Sequence, residues 1–408
     1  MHYALKENVY LVKGYINGCL YDFNLSKLYW LDQDLADFIE RINNGEIFIN
    51  KLTPQQLNIC KHLVQESLLR ETESPRKNSI EEIKHTDCTI DFAWIEITQK
   101  CNLKCIHCYN ESAPQCDKDM EIDKYKMIID SLISRNIKRI QLIGGEPFCH
   151  PDLKEILDYT VGKFDFIEIF TNGTLITSAW LDYFIAHKIR IALSVYSYDA
   201  SMHDRVTGQV KSWEKTNSII KMLSQNAIPY RVCNIIMKDI EIGKRTNQPY
   251  KLSRTKDIVR MSGRANFSLL DNDLIRRKLI TKETFGEPIA LNFSRRIISG
   301  HNCFKNKIYI SSDMDVFPCV MERRLKHCRF DIHKGIQIDE EIANLTKDHI
   351  EECKDCEFRY ACFDCRPNSL SEDVLAKPWY CTYDPRSAVW TDVDAFVQKL
   401  NDEWKTSD

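Results

Sequence analysis

Ten of the seventeen cysteines in this 408-residue chain fall into two spaced arrays, and that spacing constrains the fold more than any other feature. The first array is Cys101, Cys105 and Cys108, a C-x3-C-x2-C run within ITQKCNLKCIHCYN. The second is Cys303, Cys319, Cys353, Cys356, Cys362, Cys365 and Cys381. Thiolates on short loops suit soft metals, either zinc or iron–sulfur clusters. Zinc sites favour paired C-x2-C knuckles. A three-cysteine run gives a cubane three ligands and leaves one iron open to a ligand that is not protein. The start, MHYALKENVYLVKG, lacks the apolar core of a signal peptide, and no apolar run reaches membrane-spanning length. A cytoplasmic protein is therefore expected. Structural disulfides are rare in that compartment, so metal is the better use for so many thiols. A net charge of −3 argues against a nucleic-acid surface spread over the whole chain.

Residues 1–72 read as a small α+β unit. VYLVKGYINGCLYDF and KLYWL look like strands, with turns at Asn17-Gly18 and Asn24. DQDLADFIERINNG reads as a helix ended by Asn43, Asn44 and Gly45. TPQQLNICKHLVQESLL reads as a second helix, with Thr53 at its N-cap and Pro54 in its first turn. The charged stretch RETESPRKNSIEEIKHTD marks a linker, set at 73–90.

Over 91–300 strand-like and helix-like runs alternate. The strands are FAWIEIT, RIQLIGG, FIEIFTNG, RIALSVYS, YRVCNIIM and DIVRMSGRA. The helices are IDKYKMIIDSLISRN, PDLKEILDYTV, SAWLDYFIAH and KSWEKTNSIIKMLSQN. Such βα repetition implies an α/β fold with a parallel sheet, and six units fit a partial (β/α)6 barrel. Chemistry in such folds sits at the C-terminal strand ends, where the first cysteine run lies. Residues 301–408 are Cys-rich, with one hairpin at KIYISSDMDVFPCV and a closing amphipathic helix in AVWTDVDAFVQKLNDEW. Metal crosslinks would hold this part together.

CNLKCIHC, with His107 before its last cysteine, resembles the signature of radical S-adenosylmethionine (radical SAM) enzymes. GGEP (Gly144, Gly145, Glu146, Pro147) after the second strand, FTNG ending the third and LSVYS ending the fourth stand in the family's order. The resemblance implies a [4Fe–4S] cluster on Cys101, Cys105 and Cys108. Its open iron chelates S-adenosylmethionine, and reductive cleavage yields a 5′-deoxyadenosyl radical. It also implies cosubstrate contacts from the GGEP backbone and Glu146, from Ser194 and Asn172, and from Asn234 and Arg205.

The second array resembles the SPASM extension of that superfamily, which binds two auxiliary [4Fe–4S] clusters. Two departures stand out: Met314 replaces a glycine, and the last inner spacing is x2 rather than x3. By resemblance Cys353, Cys356, Cys362 and Cys381 hold an outer cluster, and Cys303, Cys319 and Cys365 an inner one. Cys328, His301 or Asp315 are candidates for its fourth ligand. Zinc would satisfy C-x2-C-x5-C-x2-C equally on spacing.

SPASM enzymes mostly act on peptides and proteins. SMHDRVTGQVKSWEKT resembles a segment of peptide maturases, and LVKGYINGCLYDF resembles the start of grasp-with-SPASM maturases. These resemblances imply a precursor peptide whose leader adds as a strand to a winged-helix-like recognition domain at 1–72. A flavodoxin- or ferredoxin-type reductant is implied as partner, and neither nucleic acid nor membrane is expected. A sulfatase-maturing-type enzyme and an iron–sulfur DNA-binding regulator are the alternatives. Asp199 and Asp204 are acid–base candidates by position alone.

Overall fold

The computed structural model describes residues 1–84, 89–243, 254–286, 298, 302–362, 365–369 and 371–405. The chain forms two compact units. One comprises 1–87, 279–302 and 344–408, and the other 88–278 and 303–343.

The first unit opens with β1 (His2–Leu5), followed by β2 (Val9–Lys13), β3 (Gly18–Asp22) and β4 (Lys27–Leu31), an antiparallel sheet in the order β2-β3-β4. The Asp22 carboxylate makes the β3–β4 turn, accepting from the Asn24 and Leu25 N–H groups at 2.8 and 3.2 Å. In α1 (Gln33–Asn43) Asp32 caps the Leu35 N–H at 2.9 Å. In α2 (Pro54–Gln65) Thr53 and Gln56 close a reciprocal capping box. β5 (Leu69–Thr72) then pairs antiparallel with β1, a pairing that local pattern does not announce.

Two hydrophobic clusters stabilise this unit. Leu5, Leu20, Ile39, Leu63 and Leu69 form the first. In the second, Tyr10, Val12 and Tyr21 pack with Phe358, Tyr360 and Tyr383. The Tyr21 hydroxyl donates to the Glu357 carbonyl at 2.9 Å. The start of the chain and its Cys-rich end, expected as separate parts, thus share one core. Within the expected linker, Asn78 Nδ2 donates to the Lys6 and Val9 carbonyls at 2.6 and 3.1 Å, and Ile80 is buried. Residues 85–88 of that stretch lie outside the described set.

The second unit carries β6 (Phe92–Thr98), α3 (Ile122–Ser134), β7 (Arg139–Gly144), α4 (Leu153–Thr160), β8 (Phe166–Thr171), α5 (Leu181–His187), β9 (Arg190–Ser194), α6 (Ala200–Thr207), α7 (Ser212–Gln225), β10 (Tyr230–Ile236) and β11 (Arg254–Ile258). β6 to β11 form the expected six parallel strands, each paired with its sequence neighbour. Isoleucine and leucine pack between strands and helices: Ile95, Ile140, Leu142, Ile169 and Ile191 face Ile128, Leu157 and Ile220. Burying each such side chain contributes about 2 kcal/mol. β12 (Lys307–Ile310) then pairs parallel with the free side of β6, and β13 (Asp315–Phe317) and β14 (Cys328–Arg329) continue antiparallel. Residues 303–343 therefore extend the barrel sheet to nine strands. Met314, where the SPASM pattern has glycine, turns the β12–β13 hairpin at φ +68°, the left-handed region that glycine adopts most easily.

Inside the sheet, Glu168 on β8 is buried and pairs with Arg231 on β10 at 2.8 Å, while Gln141 on β7 donates to the same carboxylate. Removing one member of a buried pair strands the other. Glu168→Ala is expected to destabilise the second unit by about 3 kcal/mol, read as a lower denaturation midpoint in urea.

Candidate functional site

β6 ends at Thr98, and the chain then turns into the Cys101–Cys108 loop at the C-terminal edge of the parallel sheet. Open α/β sheets bind ligands at that edge. A cavity of about 200 Å³ opens there, and all three cysteines line it.

The loop is held from several sides. Gly145 N–H donates to the Thr98 carbonyl and Glu146 N–H to the Lys100 carbonyl, both at 2.8 Å. A Cβ on Gly144 or Gly145 would lie 2.3 Å from one of those carbonyl oxygens, so only glycine permits this approach. Past β11, Arg264 donates through Nε to the Cys105 carbonyl and through Nη2 to the Ser112 carbonyl, each at 2.9 Å. Gly263 beside it (φ +59°) would place a Cβ 2.4 Å from the Cys108 carbonyl. The Lys104 and Ile106 N–H groups donate to Thr207 and Val206 at the end of α6. The HDRVTG segment thus braces the cysteine loop.

Gly144, Gly145, Asn172, Ser194 and His107 line the cavity with the thiols. Asn172 Nδ2 donates to Asn102 Oδ1 at 3.0 Å and lies 4.0 Å from Cys101 Sγ. The His107 ring meets Tyr196 edge-on at 4.6 Å, and its Nδ1 has no partner among the described residues. Burial, with Arg264 nearby, pushes His107 down to about 4, so the ring is neutral at pH 7. Tyr196 in turn hydrogen-bonds Ser194 and Cys105.

Glu146 and Pro147 are not among the lining residues. The Glu146 carboxylate is fully buried and accepts from Thr171 Oγ1 at 2.7 Å, Asn172 N–H at 2.8 Å and Phe148 N–H at 3.2 Å. It ties the β7 loop to the end of β8, and burial raises it to about 7. Asn234 is buried and not among the lining residues; its Nδ2 donates to the Val195 carbonyl at 2.5 Å and its Oδ1 has no partner among the described residues. Arg205 binds the Asp239 carbonyl away from the lining. Asp199 caps α6 through the Met202 N–H at 2.9 Å, and Asp204 caps α7 through the Trp213 N–H at 2.8 Å and Ser212 Oγ at 2.7 Å. Both have structural tasks and neither lines the cavity.

Sequence patterning does not single out the opposite wall. Asp257 near the end of β11 is the one carboxylate lining the cavity among the described residues. It pairs with Arg260, whose Nη1 lies 3.6 Å from Met321 Sδ. The run DIVRMSGRA hides this because it reads as one strand; the strand ends at Ile258 and the rest is the loop that clasps the cysteines. Cys233 also lines the cavity, with Arg231 Nη1 2.8 Å from its sulfur.

In the first unit, Cys353, Cys356, Cys362 and Cys381 line one small cavity together with Lys347, Arg359 and Lys377. These are the four residues the SPASM resemblance assigns to the outer cluster. Lys347 Nζ lies 3.6 Å from Cys362 Sγ. Cys365 is not in that lining, and its N–H donates to the Tyr380 hydroxyl at 3.1 Å. Cys319 follows β13 in the second unit, close to Arg260 and Glu322. Cys328 packs on the core of the same unit, and Asp315 pairs with Lys326 at 3.5 Å. The Cys303 side chain and His301 lie outside the described residues.

Three soft thiols around one cavity suit a cluster with an open iron, and four around another suit a closed one. Among the described residues no three His, Cys, Asp or Glu side chains converge on a single ion. Burial pushes Cys105 up to about 12 and Cys362 to about 11, so metal binding must release protons.

Residues 95–241 match the family model of the Radical SAM superfamily. The chain is 37% identical over 142 residues to the antilisterial bacteriocin subtilosin biosynthesis protein AlbA of Bacillus subtilis, covering 34% of this chain and 32% of that protein. It is 30% identical over 142 residues to the mycofactocin maturase MftC of Mycobacterium tuberculosis, covering 33% and 35%. The aligned segment spans about a third of each relative. Among solved structures, that of Streptococcus suis SuiB bound to S-adenosylmethionine aligns with a TM-score of 0.52 at 16% identity, over 90% of this chain and 96% of that one. The α/β fold is therefore the one SuiB has. Among the described residues no helix is long and apolar enough to cross a membrane.

Gly263→Ala is expected to displace the Cys108 backbone and lower iron incorporation after anaerobic reconstitution, read as iron per chain. Glu146 supplies a pH test. Its folded value of about 7 lies above the ordinary 4.5, so its stabilising contribution is full below pH 4.5 and lost as pH rises through 7. In Glu146→Gln the melting temperature of the metal-free protein should fall less steeply over that interval than in the wild type.

Proposed function

We propose that this chain, whose residues 95–241 are a radical SAM domain, oxidatively modifies a ribosomally made precursor peptide by forming a thioether or carbon-centred crosslink. The observation that carries the reading is the single cavity shared by Cys101, Cys105 and Cys108 with Gly144, Gly145, Asn172 and Ser194. When bound, the [4Fe–4S] cluster and S-adenosylmethionine supply a hydrogen-abstracting 5′-deoxyadenosyl radical.

The chain's residues divide the remaining work. Cys101, Cys105 and Cys108 would hold the cluster. Gly144 and Gly145 leave room for the cosubstrate's methionine end, and Asn172 and Ser194 offer it hydrogen bonds. Leu103, Phe170, Ile235 and Ile258 give the cavity apolar walls that exclude water. Asp257, paired with Arg260, is the group positioned to accept a proton from the peptide. Cys353, Cys356, Cys362 and Cys381 would hold one auxiliary cluster.

The N-terminal sheet suits a leader peptide. β4 stands at the end of the order β2-β3-β4 among the described residues, an edge to which an extended segment could add. Two relatives support a peptide substrate by name, one in bacteriocin biosynthesis and one a maturase. A cytoplasmic setting and a flavodoxin- or ferredoxin-type electron donor complete the proposal.

Cys105→Ala is expected to abolish 5′-deoxyadenosine formation, measured by chromatography after anaerobic reduction; retained formation would overturn the cluster assignment. Asp257→Asn should still form deoxyadenosine while peptide modification falls at least tenfold, a loss of ~1.4 kcal/mol or more in transition-state stabilisation. Substrate class is tested by the mass of a small peptide encoded beside the gene, after anaerobic co-expression. Loss of two hydrogens per event, dependent on Cys105, supports crosslinking. An unchanged mass with deoxyadenosine still formed moves the substrate to a folded protein, as in sulfatase maturation.

A further inference from the structure

We propose that Lys347 raises the reduction potential of the cluster held by Cys353, Cys356, Cys362 and Cys381, by placing a buried ammonium against the Cys362 sulfur. The inference rests on the reading of those four cysteines as cluster ligands and goes beyond it.

Lys347 is 3% exposed, although lysine is among the residues least often buried. It opens a short 3-10 helix, Lys347–His349, whose entry is fixed by Thr346 in a reciprocal capping box with His349. That entry sends the side chain inward. Nζ reaches Cys362 Sγ at 3.6 Å, an N–H···S hydrogen bond, and Lys347 lines the same cavity as Cys353, Cys356 and Cys381. The other cations lining the cavity meet carboxylates. Arg359 Nε pairs with Asp348 at 2.9 Å, and Lys377 Nζ with Glu352 at 3.0 Å. Lys347 Nζ touches the Cys362 thiol itself.

The electrostatic consequence has a definite sign. A cubane with four thiolate ligands carries two negative charges oxidised and three reduced. A fixed positive charge beside a ligand sulfur favours the reduced form, and so does a hydrogen bond to that sulfur. The low dielectric of a buried site strengthens both effects. Lys347 is therefore a positioning residue for an electron rather than for substrate: it makes one-electron reduction of this cluster easier. The electron donor is the reductant of the proposed function, or a substrate radical left after hydrogen abstraction, which loses one electron as the cluster gains it.

The test uses the full chain with Cys101, Cys105, Cys108 and Cys319 changed to alanine, so that the remaining iron reports this site. The midpoint potential is measured by anaerobic titration, followed by the electron paramagnetic resonance signal of the reduced cluster. Lys347→Met is expected to shift the reduced-to-oxidised ratio about tenfold toward oxidised at fixed potential, ~59 mV for one electron. Lys347→Arg, which keeps charge and donors, should restore the parent midpoint. Lys347→Gln, which keeps a donor without charge, should fall between. If Lys347→Met fails to load iron, the glutamine variant carries the comparison. A midpoint equal to the parent's, at equal iron content, overturns the role of Lys347. A parent without an iron–sulfur signal overturns instead the reading of the four cysteines as ligands.

Discussion

The second unit depends on backbone meeting backbone without side chains between. The three-thiol loop stays at the sheet edge because Gly144 and Gly145 press against Thr98 and Lys100, while Gly263 presses against Cys108. Any Cβ at these positions would fall inside contact distance of a carbonyl oxygen. The hydrogen bonds from Gly145, Glu146 and Arg264 to loop carbonyls exist only because that approach is possible. Several of the loop's backbone carbonyls are thereby hydrogen-bonded by protein, and its three cysteines line the cavity. A rigid first shell of this kind is what a reactive centre needs, since a displacement of an ångström is costly to positioning.

Buried charge follows a consistent rule across the barrel. Glu96 is 1% exposed, yet it accepts from the Tyr309 hydroxyl at 2.6 Å, Ser312 Oγ at 2.7 Å and the Ser312 N–H at 3.1 Å. Arg323 joins Tyr309 to Asn110 at 2.7 and 2.6 Å, so the network links the hairpin after β12 to the tail of the cysteine loop. Glu146 does the same between β7 and β8, and Glu168 between β8 and β10. Each carboxylate joins separate strands through several partners, which offsets part of the cost of burying an ionisable group, although for Glu146 burial still raises the pKa to about 7.

Much of this was legible in the residue pattern. The βα alternation is periodic and local, so five strands and four helices stand where the apolar runs place them, while the sixth strand, β11, starts before its run and ends two residues into it. The cysteine spacing is equally local, and the thiols of Cys101, Cys105 and Cys108 do meet at one cavity. Other features depend on contacts distant in sequence. No window shows that β12 returns beside β6, or that Tyr21 shares a core with Tyr360. Asp199 and Asp204 mislead because position after a strand resembles a catalytic role, although an aspartate before ASMHDRVT or near SWEKT is also a helix cap. Asp257 escapes notice because an aspartate within an apolar run looks like an interruption rather than a cavity wall. Met314 shows the reverse: the pattern's glycine has changed, but the left-handed turn that favoured glycine remains.

The two thiol sites differ in their charged surroundings, and the difference bears on what each could do. Around the first, His107 is neutral, Arg264 is committed to loop carbonyls and Arg260 to Asp257. Around the second, Arg359 and Lys377 are carboxylate-paired, and Lys347 meets a sulfur directly. A site that must donate an electron to a bound cosubstrate gains from surroundings that do not stabilise its reduced form. A site that receives an electron gains from the opposite. Were both arrays to hold clusters, a buried ammonium beside the latter array would separate the two tasks through local electrostatics, without requiring different ligand chemistry at the two centres.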